Sequence, residues 1–350
     1  KEYNGLSLHI QKPGQAISKD LISEDLEKIK KIVIGKKGGV TYQKPGKITS
    51  LDPSEDYINY VTKKINLKRP LKIIIDSGNG AVGFLPERVF RKLGCQTQTL
   101  YGEFDGNFPH HLPDPYLKEN RKDIEKEVLI KRTDLGFAYD SDGDRVAPID
   151  NQGRLVDGDS CLLLLARKIL KKKKGPIVHC MRVSKAFLDE MKKQNIRTFF
   201  SISHHSAIID KISEVNAVFG GEITFHFLFP QDYYLCDDAI FSSLKLAEIA
   251  SENKDFAKIV DNLPKYYASP EIFINSSDEE KFKIIRKLQK YLRDNNYDFV
   301  DIDGARINFP SGWALVRASN TTPIIKCRFE GETQEDLIKI EKKALGIFKK

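Results

Sequence analysis

The chain has 350 residues, a formal net charge of +8, 40% hydrophobic residues and 30% charged ones. That length exceeds what one core supports and predicts two to four domains, while no uninterrupted apolar run approaches a membrane span and no charged-then-apolar signal segment is expected. Five scattered cysteines (Cys95, Cys161, Cys180, Cys236 and Cys327) never fall in Cys-x-x-Cys spacing; this argues against a disulfide frame or zinc site and for free thiols in a reducing, cytoplasmic compartment.

Lys1-Glu2-Tyr3-Asn4-Gly5 leads into the alternating strand Leu6–Ile10, and a helix over Ser23–Ile34 stops at Gly35. Together these read as the back half of an α/β domain. At Asp52-Pro53-Ser54-Glu55 an aspartate N-cap, a proline at the first helical position and a glutamate three after the cap make a capping box. Tyr57, Val61 and Ile65 then repeat on one helical face.

A buried strand at Leu71–Asp76 runs into Ser77-Gly78-Asn79-Gly80. Gly78, Gly80 and Gly83 have the spacing of a dinucleotide loop, but the acidic residue expected about twenty positions on is missing, so a tight turn docking a helix on the sheet is predicted. In the irregular Asp105–Pro115 stretch, adjacent His110 and His111 point apart and read as structural or surface residues.

An apolar strand at Leu135–Tyr139 ends in Asp140-Ser141-Asp142-Gly143-Asp144-Arg145. Three carboxylates at alternate positions repel one another unless the loop curls around a cation, and hard oxygen ligands on a short loop suit Mg²⁺ with room for water and a phosphate. The calcium-loop template fails, because its sixth position would be Arg145 and its twelfth Asn151.

Short apolar strands at Ile177–Met181, Thr198–Phe200 and Ala217–Phe219, separated by helical periodicity, predict a mainly parallel, helix-covered sheet. The basic run Lys171–Lys174 stops at Gly175-Pro176, as at a solvated helix end. No basic stripe interleaved with aromatics accompanies it, so neither nucleic acid nor membrane is expected as a partner. Ligands in such sheets bind beyond the carboxyl ends of the strands. At those ends lie Arg182, the segment His204-His205-Ser206, and Gly220-Gly221-Glu222-Ile223-Thr224-Phe225-His226.

The last region mixes strands at Ile272–Ile274, Val300–Ile302, Ala314–Arg317 and Ile324–Phe329 with helices near Asp278–Asp294 and Thr333–Phe348, an α+β pattern. Between two of its strands sits Arg317-Ala318-Ser319-Asn320-Thr321-Thr322-Pro323. A planar guanidinium beside four short polar side chains reads as a phosphate cradle.

In this order, Tyr3-Asn4-Gly5, the Asp140–Arg145 loop, Gly221–His226 and Arg317–Pro323 resemble the α-D-phosphohexomutases, in their bacterial phosphomannomutase/phosphoglucomutase branch. The resemblance implies consecutive α/β domains with mixed, mainly parallel sheets and a C-terminal α+β domain around a central cleft. The boundaries it suggests are 1–51 for a remnant first domain, then 52–153, 154–264 and 265–350. It implies isomerase chemistry, interconverting hexose 6-phosphate and hexose 1-phosphate through a phosphoserine and a hexose 1,6-bisphosphate. Carried over by position, Asp140, Asp142 and Asp144 would ligate Mg²⁺, and Arg145 would lie beside the phosphoserine. Glu222, Thr224 and His226 would meet the sugar, while Arg317, Ser319, Asn320 and Thr321 would hold the distal phosphate. His205 and Arg182 stand where the family places a histidine and a base near the reacting sugar. The expected partner is thus a phosphorylated hexose, mannose or glucose being undecided, with a monomer expected over an oligomer.

Four departures bear on these expectations. The family's nucleophile lies in a Ser-His-Asn-Pro loop just before Tyr-Asn-Gly, and this chain is expected to lack it and to be inactive alone. Phe225 replaces a glycine and is expected to add bulk at the ligand; Ile202-Ser203-His204 replaces Lys-Thr-Gly; Ser141 replaces a glycine in the metal loop. A degenerate phosphosugar-binding protein without turnover is the alternative reading.

Overall fold

In the computed structural model of the chain, residues 9–10, 19–20, 23–35, 46–203, 205–319 and 322–348 are described. They divide into two compact units, Lys1–Asn59 and Tyr60–Lys350. In the first, β1 (His9–Ile10) pairs antiparallel with β2 (Lys19–Asp20), and α1 follows at Ser23–Ile34. The Leu6–Ser7–Leu8 portion of the expected strand, and the Tyr3-Asn4-Gly5 segment, lie outside the described residues. Helix α2 (Ser54–Thr62) starts where the capping pattern predicts, with the Ser54 N–H donating to Asp52 Oδ1 at 2.9 Å.

The second unit holds three sheets. The first is built from β3 (Lys72–Asp76), α3 (Leu85–Lys92), β4 (Gln96–Leu100), α4 (Lys122–Lys131), β5 (Leu135–Tyr139) and β6 (Val146–Asp150). Its order is β4-β3-β5-β6, with β4 and β5 parallel to β3 and β6 antiparallel to β5. Ile73, Ile74 and Ile75 in β3 and all five residues of β5 are buried, as strands covered on both faces require. Sequence periodicity misses β4, a largely polar edge strand, and β6, whose Pro148 is tolerated because β6 is an edge.

The second sheet follows α5 (Gly158–Lys172) and comprises β7 (Ile177–Cys180), α6 (Lys185–Lys193), β8 (Thr198–Ser201), α7 (His205–Val215), β9 (Phe219–Gly221) and β10 (Phe227–Leu228). Its order, β8-β7-β9-β10, repeats the first: two parallel neighbours around a central strand, then an antiparallel edge. β9 is displaced from the expected Ala217–Phe219, because α7 ends at Val215, Asn216 follows in a left-handed turn (φ 51°), and pairing with β7 then recruits Gly220 and Gly221. Helices α8 (Ala239–Ser251) and α9 (Phe256–Asp261) close this region. All 13 residues of α8 are buried, and it ties to the first sheet through Tyr139 Oη donating to Ser243 Oγ at 2.7 Å and Ala239 N donating to Gly143 O at 3.1 Å.

The third sheet is antiparallel and holds β11 (Tyr267–Ala268), β12 (Ile272–Asn275), β13 (Phe299–Val300), β14 (Ala305–Phe309), β15 (Gly312–Ala318) and β16 (Ile324–Gly331). Helices α10 (Glu280–Asp294) and α11 (Gln334–Phe348) share its core through Ile285, Leu288, Leu292, Leu337 and Ile340 against Ile307, Val316, Ile325 and Phe329. β14 escapes the alternation pattern because Arg306 occupies a buried position in its interior. Among the described residues no helix is long and apolar enough to cross a membrane. The five cysteines are unpaired thiols, Cys236 exposed and the others buried.

Candidate functional site

The turn from β5 into β6 is built around Asp140, which is fully buried. Its Oδ1 accepts from the backbone N–H groups of Gly143 (3.0 Å), Asp144 (3.1 Å) and Arg145 (3.1 Å), and its Oδ2 from Arg145 Nε at 2.7 Å. Gly143, at φ 83°, lets the loop fold back over that carboxylate. The glycine-rich turn after β3 braces the loop from behind: Ala81 N donates to Ser141 O at 2.7 Å, and a Cβ on Gly80 would stand 2.8 Å from the same oxygen. The expected tight turn is therefore present, and its small residues serve a close backbone approach. His110 and His111 anchor the neighbouring segment, to Asn79 Oδ1 at 2.8 Å and Asp76 Oδ2 at 3.1 Å.

Ligand oxygens of Asp140, Asp142 and Asp144 lie within 4.8 Å of one another. Burial raises the pKa of Asp140 and of Asp142, and the neighbouring carboxylate adds to each shift (Asp144 for the first, Asp140 for the second), while Arg145 pulls both back. Three N–H donors fill Asp140 Oδ1, whereas Oδ2 keeps a lone pair for a cation. An all-oxygen set under mutual repulsion fits a hard divalent ion. Arg145 also reaches Asp114 and Asp144, each at 3.5 Å.

The turn from β9 into β10 carries the second set. Glu222 N donates to His226 O (2.9 Å) and Phe225 N to Glu222 O (3.2 Å), closing a compact loop. Thr224 Oγ1 donates to Glu222 Oε2 at 3.3 Å. His226 Nδ1 lies 3.3 Å from Asp237 Oδ2 and 3.9 Å from Asp144 Oδ2, so this histidine joins the two loops. Burial opposes its protonation, but Asp237, Asp144 and Glu222 outweigh that and raise its pKa. Phe225 faces a separate cavity. At φ 75° and 1% exposed, it lines with Ile223 a cavity of about 490 Å³ that includes Tyr116, Phe187, Tyr266 and Arg328 but not Glu222, Thr224 or His226. The bulk that replaces glycine is stowed behind the loop, edge-on to Tyr116.

Arg182 follows β7 and lies 3.9 Å from both Glu222 Oε2 and Glu271 Oε1. Burial works against its charge, yet Cys180, Glu222 and Glu271 raise its pKa. A guanidinium so placed donates and neutralises; it cannot take up a proton, which corrects its reading as a base. His205 opens α7 at the carboxyl end of β8, but its side chain, like His204, lies outside the described residues.

Near the end of β15, Arg317 is paired with Asp303, and in the loop that follows Ser319 Oγ accepts from Thr322 Oγ1 at 2.7 Å. Asn320 and Thr321 lie outside the described residues. Three charged residues here escaped sequence reasoning. Lys326 is the cross-strand neighbour of Arg317 and stands 3.8 Å from Glu271, which also meets Arg182. Lys281, 2% exposed on α10, donates to Thr322 O at 2.9 Å. A series Glu222–Arg182–Glu271–Lys326 thus runs from the second loop to the strand partner of Arg317. Only strand register, which the sequence does not display, could have revealed it.

Comparison with known proteins bears on this geometry. The family models for phosphoglucomutase/phosphomannomutase alpha/beta/alpha domain II, alpha/beta/alpha domain III and C-terminal domain match residues 55–153, 157–267 and 271–346. The chain is 35% identical, over 350 residues, to a phosphomannomutase/phosphoglucomutase of Pseudomonas syringae pv. tomato, spanning 99% of this chain and 72% of that protein. It is 30% identical to a phosphoglucomutase of Neisseria gonorrhoeae, with 99% and 74% covered. A crystal structure of a phosphoglucomutase/phosphomannomutase family protein from Burkholderia thailandensis superposes with a TM-score of 0.87 at 28% identity, over 94% of this chain and 70% of that one.

Proposed function

The chain belongs to the phosphoglucomutase/phosphomannomutase family, and from that premise we propose that it serves an isomerase moving a phosphoryl group between the 1- and 6-positions of mannose or glucose. The observation that carries the reading is the junction at Asp144 and His226, where a carboxylate loop able to hold a cation meets a loop able to hold hydroxyls. Mg²⁺ is the cation proposed for Asp140, Asp142 and Asp144, and when bound it supplies charge neutralisation at a phosphoryl oxygen.

The chain's own residues divide the remaining work. Arg145 offers guanidinium donors beside that loop, where a phosphoryl group would pass. Glu222 accepts from sugar hydroxyls, Thr224 and His226 orient them, and Arg182 neutralises charge next to Glu222. Arg317, Ser319, Asn320 and Thr321, joined by Lys326, hold the distal phosphate. Phosphoryl transfer asks mainly for such positioning and charge neutralisation. Hexose 1,6-bisphosphate is the proposed intermediate, formed by way of a phosphoserine. No Ser-His-Asn-Pro segment occurs in the 350 residues, and a polypeptide of these residues alone is expected to bind hexose phosphate without turnover. We further propose domains at 1–51, 52–153, 154–264 and 265–350, a cytoplasmic setting and a monomer. A binding protein that never turns over is the second reading, favoured by the exposed Ile202 where the family carries a lysine.

Calorimetric titration of glucose 1-phosphate and mannose 1-phosphate, with and without Mg²⁺, tests the proposal. Binding that strengthens with Mg²⁺ and loses that dependence in Asp144→Asn is expected. Absence of binding to either sugar would overturn it.

A further inference from the structure

Arg306 lies mid-strand in β14 and is 1% exposed. Its Nη1 donates to the carbonyls of Met181 and Val183 (3.0 Å to the latter), and its guanidinium stacks 4.1 Å from the Trp313 ring and 5.1 Å from that of Phe200. Burial lowers its pKa to about 10, which leaves it charged at neutral pH. Sinking a guanidinium onto carbonyls and rings costs desolvation that an apolar side chain would avoid. What the charge provides there is geometric: Met181 and Val183 flank Arg182.

The rest of that turn is held from outside as well. Glu330 in β16 accepts from Lys185 N at 2.7 Å and from Trp313 Nε1 at 2.8 Å, and Asp159 accepts from Ser184 N at 2.6 Å. The link between β7 and α6 is therefore shaped largely by side chains of the third sheet. Arg306 holds the peptide group before Arg182 and the one after Val183, and Val183 N–H donates to Cys180 O at 3.4 Å between them; together these restrain the direction in which the Arg182 side chain leaves the backbone, and that side chain ends between Glu222 and Glu271.

We propose that Arg306 is a positioning residue for the hexose phosphate site, acting through Arg182: a cation in the third sheet sets where the second sheet's arginine presents its donors. The proposal rests on the functional reading above. Trp313, the single tryptophan of the sequence, lies against Arg306 and gives the arrangement an intrinsic reporter.

The test is a double-mutant cycle on glucose 1-phosphate and mannose 1-phosphate affinity in the presence of Mg²⁺, using Arg182→Met, Arg306→Met, Arg306→Lys and the doubles with Arg182→Met. Loss of a charged donor predicts about tenfold weaker binding for Arg182→Met and a comparable loss for Arg306→Met. The double variant should bind no more weakly than Arg182→Met alone, because both act through one group. Arg306→Lys, which still offers N–H donors to the two carbonyls, should recover most of the affinity. Ligand saturation should change Trp313 emission in the unaltered protein and not in Arg182→Met. If Arg306→Met does not fold, the cycle is run with Arg306→Gln, which is uncharged and reaches less far: a deficit present with Arg182 and absent without it supports the proposal, and no deficit in folded Arg306→Gln overturns it. Equal deficits in both backgrounds, or unaltered affinity in folded Arg306→Met, overturn it. If the unaltered protein binds neither sugar phosphate, the functional reading falls and this inference falls with it.

Discussion

The two α/β sheets share one strand order but hang different chemistry on the turn into their antiparallel fourth strand. In the first, the turn wraps itself around Asp140 and gathers three carboxylates that burden one another. In the second, two backbone hydrogen bonds close a short loop, and its buried Glu222 faces the cation of Arg182. Each turn leans on a glycine from elsewhere, Gly80 against Ser141 O and Gly158 against Ile223 O, where added Cβ atoms would stand at 2.8 and 2.0 Å. One scaffold thus carries a carboxylate pole and a hydrogen-bonding pole, meeting at Asp144 and His226. Function resides in the loops, and the repeated fold supplies only their placement.

The comparison breaks if the poles are not separable. Asp140→Ala removes the acceptor of three backbone N–H groups and leaves Arg145 only its longer contacts to Asp114 and Asp144, so it should cost about 3–5 kcal/mol in urea denaturation and abolish Mg²⁺ binding. A loss well under that range would mean the turn is held by something other than Asp140. Next in size, Asp142→Asn should weaken Mg²⁺ about tenfold or more while leaving metal-free sugar phosphate affinity alone. Glu222→Gln should do the reverse, and calorimetry showing both ligands weakened by either change would refute independence. Gly80→Ala and Gly158→Ala should each destabilise by about 1–3 kcal/mol through overpacking, the first lowering Mg²⁺ affinity and the second sugar phosphate affinity.

The smallest effect concerns the base of the first turn. The hydrogen bond to Asp76 raises the pKa of His111 above its ordinary 6.5, despite opposing burial. A raised histidine contributes stability that is complete below 6.5 and is lost as pH climbs through the raised value. Comparing the unaltered protein with His111→Asn across that window should show the difference shrinking as pH rises. A difference that grows with pH would contradict the pairing.

The first pole was legible in the sequence because its carboxylates are neighbours in the chain and their mutual repulsion is implied by spacing alone. The cluster of Arg317 and Ser319 was legible for the same reason, its members being close neighbours in the chain. Glu271, Lys281, Lys326 and Arg306 were not, since each acquires its role from strand register or from a partner in another sheet. The core strands β3 and β5 announced themselves by continuous apolar runs, whereas Pro148 disguised β6 and Arg306 disguised β14. Phe225 shows the converse: its identity was readable but its direction was not, and with its left-handed backbone it lines a cavity whose walls do not include Glu222 and Thr224.

The placement of the cysteines has a consequence for chemical durability. Four are sealed in the interior, and the fifth, Cys236, sits at the surface beside Asp237 and Asp238. Crowding around its sulfur, reinforced by Asp238 and Asp237, lifts its thiol from 9.0 to about 11. Electrophiles and oxidants react with the thiolate, so the one sulfur they can reach is held in its inert form at neutral pH. Thiol reagents should modify the native protein slowly, at one position, and faster as the solution is made alkaline.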